Sequence, residues 1–143
     1  MNISAKTEYA CIAVLELAAR HLAGDPVRIR DIADTHGIPS RFLVQILLQL
    51  KSAGLVASLR GATGGYRLAK EPEAITLHEV MSVVDSQAAA AIKSSAGRNT
   101  HSVRVLHSAW KTVAAKEREM LTDITFADLV RQLAGRGDPM YHI

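Results

Sequence analysis

The stretch Gly54-Leu55-Val56-Ala57-Ser58-Leu59-Arg60-Gly61-Ala62-Thr63-Gly64-Gly65-Tyr66-Arg67-Leu68-Ala69 decides how the rest of the chain is read. Val56 to Arg60 and Tyr66 to Ala69 read as two short strands. The five residues between them, Gly61 to Gly65, form a tight glycine-rich loop, so the unit is a hairpin. Arg60 stands at its tip. Glycines let a backbone approach a nucleic-acid groove closely, and a narrow minor groove attracts an inserted arginine.

Directly upstream, Ile29 to His36 reads as a short helix with Ile32 and Ala33 inward and Gly37 as its stop. Ser40 to Ala53 reads as a longer helix ended by Gly54. Its Leu43, Ile46, Leu47 and Leu50 fall at i, i+3, i+4 and i+7 and make one apolar stripe. A DNA-reading helix-turn-helix needs a small residue where its helices cross, a glycine in the turn for a positive φ, and apolar anchors under the second helix. Ala33, Gly37 and Ile38, with Leu43 and Ile46, meet those needs.

The stripe leaves Ser40, Arg41, Gln45 and Leu48 on the opposite side, with Val44 and Gln49 toward its edges. Arg pairs with guanine edges, Gln with adenine, and an apolar chain touches a thymine methyl. Pro39 has no N–H to lend to a phosphate but fixes the entry of the chain. The candidate DNA-binding residues are therefore Arg28, Pro39, Ser40, Arg41, Val44, Gln45, Arg60, Gly61, Thr63, Gly64 and Tyr66. Winged helices also bind other proteins, so a protein–protein interaction module without DNA binding is the alternative. Salt dependence separates the two, because a DNA binder loses affinity steeply as salt rises.

Charge points the same way. The chain of 143 residues carries a formal net charge of +3. Residues 27–70 hold seven Arg or Lys and only Asp31 and Asp34, so that segment is at +5 and the remainder sums to −2. A concentration of positive charge is the footprint of a polyanion partner, although a solvated basic face reads alike.

Around this centre the elements are mostly helical. Apolar residues make up 48% and aromatics only 4%, so the core is built from aliphatic side chains, which favours helices. Ser4 to Leu22 reads as the first helix, with Tyr9, Ile12, Ala13, Leu17 and Ala18 at helical spacing and Gly24 as its left-handed end. Thr76-Leu77-His78-Glu79 is a capping-box pattern opening a helix to about Val84. Residues 86–99 read as a long loop or fraying helix. A long helix from Thr100 to about Leu121 carries Val103, Leu106, Trp110 and Val113 on one face. A last helix, Phe126 to Ala134, follows Thr125 as cap, and the tail 136–143 is expected to be loose. The fold class is mainly α with a small β-hairpin: a winged helix-turn-helix plus a long dimerisation helix. Residues 1–84 are expected to form the DNA-binding domain, and 85–143 the loop, the long helix and the short C-terminal helix.

The run Ile32-Ala33, Phe42-Leu43, Leu50, Gly54-Leu55-Val56 and Arg60-Gly61…Gly64-Gly65-Tyr66-Arg67-Leu68-Ala69 resembles the Rrf2 family of bacterial regulators, relatives of the iron–sulfur cluster regulator. Lys6-Thr7-Glu8-Tyr9-Ala10 and Val83-Val84-Asp85 also fit. The resemblance implies a homodimer paired through the long helix, with Val103, Leu106, Trp110 and Val113 at the interface. It further implies a pseudo-palindromic operator, most simply a repressor's, with Arg60 and Gly61 at the minor groove and residues 39–45 in the major groove.

The cluster-binding members carry three cysteines in the loop before the long helix, and this chain has none there. His107 lies where some relatives place a histidine near the cluster, but one imidazole cannot replace a thiolate set. No iron–sulfur cluster, no other cofactor and no metal site are expected. His101 and His107, six apart, do not share a helix face. Some cluster-free relatives use a lone thiol in the region of Cys11, which makes it a possible redox residue. Its place between Ala10 and Ile12 on an apolar helix reads instead as structural, and buried cysteines are usually inert. An unidentified small-molecule effector remains open as a partner.

Other classes lack support. No nucleophile elbow, phosphate-binding loop before a helix, paired carboxylates or metal-ligand cluster is present, so the chain is not read as an enzyme. No apolar run reaches the roughly 18 residues that span a bilayer. With no secretory signal in view, a cytoplasmic protein without membrane contact is the simplest expectation.

Overall fold

A computed structural model describes residues 1–85 and 93–135. The elements run α1 (Ala5–Ala19), α2 (Ile29–His36), α3 (Ser40–Ser52), β1 (Val56–Leu59), β2 (Gly65–Leu68), a short 3-10 turn (Pro72–Ala74), α4 (Leu77–Val84), α5 (His101–Asp123) and α6 (Phe126–Gly135).

Helix α1 is the hub. Ser4 caps it, its Oγ accepting from the Thr7 N–H at 3.1 Å. Helices α3, α4 and α6 and strand β2 all pack on it. Its buried residues are Thr7, Ala10, Ala13, Val14, Leu17 and Ala18, while Tyr9 and Ile12 are only partly covered. The expected inward set was thus displaced toward Ala10 and Val14. A helix enclosed by four elements needs small residues on several sides, and a single stripe describes it poorly. It also ends at Ala19, earlier than Leu22, because a turn carries the chain to Gly24 at φ +76°.

The two helices of the reading head lie where the sequence places them. Gly37 ends α2 at φ +67°, Ile32 and Ala33 are buried beneath it, and Ile38 is buried just beyond the turn. Leu43, Ile46, Leu47 and Leu50 anchor α3 in the core. The hairpin pairs antiparallel, with Val56 opposite Leu68 and Leu59 opposite Gly65. The loop is therefore 60–64, one residue earlier than the spacing suggests, because Gly65 pairs in the ladder and Arg60 does not.

Helix α4 opens on half a capping box: Thr76 Oγ1 accepts from the Glu79 N–H at 3.1 Å, and Glu79 turns its carboxylate to Lys70 at 3.2 Å. Helix α6 has the full reciprocal form, since the Thr125 N–H donates to Asp128 Oδ2 and the Asp128 N–H to Thr125 Oγ1, both at 3.0 Å. Those bonds hold the Asp128 carboxyl below its ordinary value.

Helix α6 belongs to the main core. Phe126 is fully buried there, and its N–H donates to the Ile75 carbonyl at 2.9 Å while the Leu77 N–H donates to Ile124. A division at residue 84 therefore does not follow the packing. The chain leaves the core after α4, runs out along α5 and returns through α6. Part of the expected loop, 86–92, and the tail, 136–143, lie outside the described residues; residues 93–100 carry no regular element.

Candidate nucleic-acid interface

With its stripe buried, α3 offers Ser40, Arg41, Phe42, Val44, Gln45 and Leu48 to solvent. Pro39 occupies the N-cap position in extended backbone, and no side chain caps the helix. Its carbonyl accepts from Phe42 and Leu43, which leaves the first N–H groups of α3 without an intrahelical partner at an exposed end. Such an end attracts anions through both its free donors and the helix dipole.

Sequence spacing missed Phe42 as a site residue. The residue is 44% exposed, on the open side of α3. The Arg41 guanidinium lies over that ring, 5.0 Å from its centroid, and the Tyr9 ring packs tilted against it with centroids 6.2 Å apart. An aromatic platform thus orients the arginine closest to the start of the reading helix. No periodicity argument finds a contact between adjacent residues, because i and i+1 do not face each other on a helix. The aromatic next to an arginine was the available signal.

The wing follows α3 and packs on it through β1. Arg60, Gly61 and Thr63 are exposed at its tip, and Arg60 has no ion pair or hydrogen bond among the described residues. Gly61 adopts φ +102° with open space around it. Gly64 is different. It is buried, and a Cβ there would lie 2.4 Å from the Leu59 carbonyl oxygen, so this glycine serves the tightness of the loop. Tyr66 is half-buried against the core, and its backbone exchanges two 2.8 Å hydrogen bonds with Val27. Those bonds tie the wing to the segment that enters α2, where Arg28 is the exposed N-cap residue. Lys51 adds a second tie, its Nζ donating to Ser58 Oγ at 2.8 Å between α3 and β1. The wing is thus fastened both to the segment that enters α2 and to the end of α3.

Helix α5 has 23 residues and not one is buried. Leu106, Trp110 and Val113 are 52%, 50% and 62% exposed, and Val103 is half-buried. Cys11 sits partly covered in α1, and burial pushes its thiol up to about 11. At neutral pH it is therefore a protonated thiol, a poor nucleophile and a poor metal ligand.

A two-helix reading unit followed by a β-wing defines a winged helix-turn-helix regulator. The model of the Rrf2 family, described as an iron-dependent transcriptional regulator, matches residues 3–132, and the chain belongs to that family. The transcriptional regulator IscR of Vibrio cholerae is 34% identical over 131 residues, spanning 91% of this chain and 75% of that protein. Among solved structures, CymR, the global cysteine regulator of B. subtilis, superposes with a TM-score of 0.79 at 31% identity, covering 92% of this chain and 98% of that one. T. potens IscR gives a TM-score of 0.75 at 32% identity, covering 93% and 88%. The family is one of transcription regulators and not of enzymes.

The donor set does not fit the iron of the family's description. Iron–sulfur clusters are held mainly by thiolates. Here the single cysteine is Cys11, protonated within α1, and residues 86–100 contain none. Among the described residues no group of three or more His, Cys, Asp or Glu side chains is placed to hold a metal ion. No helix among them is long and apolar enough to cross a membrane.

Proposed function

We propose that the protein is a homodimeric repressor that binds a pseudo-palindromic DNA operator in the cytoplasm without an iron–sulfur cluster. The observation that carries this reading is the exposed head itself. An uncapped α3 presents Ser40, Arg41, Val44 and Gln45, and an unpaired Arg60 stands on a wing fastened beside it. In this reading the start of α3 enters the major groove, where Arg41 and Gln45 meet base edges. Arg60 enters the flanking minor groove with Gly61 and Thr63, while Arg28 and the free N–H groups of α3 hold phosphates. Gly64 and Tyr66 contribute by shaping the wing.

The two-fold symmetry comes from α5. A helix of that length presenting Leu106, Trp110 and Val113 to solvent is stabilised by burying them against the same face of a second copy. Residues 1–84 together with α6 then act as one packed reading unit, and α5 sets the spacing of two such units on the operator. Occupied operators exclude other proteins, which is the simplest route to repression.

Selection of bound sites from a random duplex pool supplies the operator, and fluorescence anisotropy against salt then tests the reading. Affinity is expected to fall steeply with salt, each phosphate contact adding about 0.9 to the log–log slope. Arg60→Ala is expected to weaken operator binding by about 1–3 kcal/mol and to relax preference at the flanking positions. Absence of duplex binding even at low salt would sink the proposal in favour of a protein-binding module.

A further inference from the structure

We propose that Val44 and Leu48 read the C5-methyl groups of thymines in the major groove of the operator. The inference rests on the DNA-binding reading above and specifies which base feature the apolar part of α3 takes. Arg41, Val44, Gln45 and Leu48 are all exposed, and they fall at i, i+3, i+4 and i+7. Those four share one side of the helix. The same spacing serves the reading helix of homeodomains. The buried stripe of Leu43, Ile46, Leu47 and Leu50 occupies the other side and leaves none of the four a role in the core.

Half of this face is apolar. Val44 is 39% exposed and Leu48 48%. Phe42, the third large apolar residue exposed on α3, already carries the Arg41 guanidinium over its ring. Val44 and Leu48 have no such cover. What covers them follows from the charge around the face. Helix α3 contains no Asp or Glu, and it starts without a side-chain cap. Residues 27–70 hold seven Arg or Lys against two Asp. An apolar strip set among cations and free backbone donors suits a polyanion that itself displays apolar groups. A purely apolar protein patch would leave those charges unpaired. On the base edges of a major groove the apolar group is the thymine C5-methyl. With no carboxylate on α3 to accept from cytosine N4, the face takes guanine through Arg41, adenine through Gln45 and thymine through Val44 and Leu48. Burial of one methyl group corresponds to about a fourfold change in affinity.

The test takes the selected operator and replaces each thymine of one half-site, one at a time, by deoxyuridine. That base lacks the C5-methyl and keeps every hydrogen-bonding group. Binding of the full chain is read by fluorescence anisotropy at fixed salt. The expected result is a loss of about fourfold at two or more positions. At one of them the loss vanishes in Val44→Ala, which binds the thymine and deoxyuridine duplexes alike; at another it vanishes in Leu48→Ala. Both residues are exposed and alanine is a good helix former, so the fold is kept, and thermal unfolding checks it. Methyl sensitivity that persists undiminished in both variants overturns the proposal, because it then arises from the shape or stiffness of the duplex. Sensitivity tied to one residue alone overturns it for the other. A selected half-site without thymine overturns it as well. So does a duplex series bound alike with and without the methyls, or an operator affinity that neither variant changes, which would mark the face as a contact for another protein. A chain that binds its operator but ignores the methyls loses only this inference, whereas a chain that binds no duplex loses the DNA-binding reading too.

Discussion

At the scale of single residues, glycines and the one cysteine make the sharpest demands. Gly65 sits at φ +148° with the Val27 carbonyl oxygen 2.6 Å from where a Cβ would be. That oxygen is backbone and is committed to the bridge with Tyr66, so it cannot give way. Gly65→Ala is expected to cost at least about 2 kcal/mol in urea unfolding, through strained φ and a broken bridge. Gly61→Ala, with open space around it at φ +102°, is expected to cost about 1 kcal/mol and to act chiefly on DNA affinity. Cys11 supplies a pH signature. Its folded value, about 11, lies above the ordinary 9.0 of a free thiol, so the buried neutral form stabilises the fold below pH 9. That contribution disappears as pH rises from 9 through 11. Relative to Cys11→Ala, the wild-type chain should lose on the order of 2 kcal/mol across this window in denaturant melts. At neutral pH peroxide should leave DNA binding of wild type and Cys11→Ser alike; a release lost only in the variant would make Cys11 a redox residue.

At the scale of elements, the reading helix is held from below by four aliphatic side chains and set from above by a ring. Phe42→Ala removes the platform under Arg41 while leaving Leu43, Ile46, Leu47 and Leu50 in place. An exposed cation–π contact is worth about 0.5–1 kcal/mol, so operator affinity should drop roughly two- to fivefold with the melting temperature little changed. Phe42→Tyr should restore it; a Tyr variant as weak as Ala would mean the ring orients nothing. Most of this element was legible in advance: α2 and α3, the turn glycine and the apolar stripe follow from local periodicity and φ preference. The platform was not, because it joins neighbouring residues through side-chain direction. The glycines of the wing illustrate the same division. Composition marks a tight loop, but only the hairpin register shows Gly64 packed against its own loop while Gly61 stays open.

At the scale of the whole molecule, α5 makes the strongest demand. A 23-residue helix with none of its residues buried is stable only if tertiary or quaternary contacts cover its apolar face. The free protein is expected to sediment at about twice 15.4 kDa. Trp110→Glu with Val113→Glu should shift it to the monomer and lower affinity for a two-half-site operator far more than for one half-site. A double variant that remains dimeric would place the interface elsewhere.

The sequence by itself determined the reading head. Its helices are short-range objects whose periodicity, caps and glycine stops are written within a few residues, and the 60–69 run tied it to the Rrf2 family. It also determined the absence of a thiolate set, which is a matter of composition. Only the tertiary structure decided that α6 closes the core through Phe126, that α1 is enclosed on several sides, and that the wing is bolted to Val27 and Lys51. These are contacts between elements distant in the chain, as Phe126 with Ile75 and Val27 with Tyr66, and no local pattern encodes which buried face meets which.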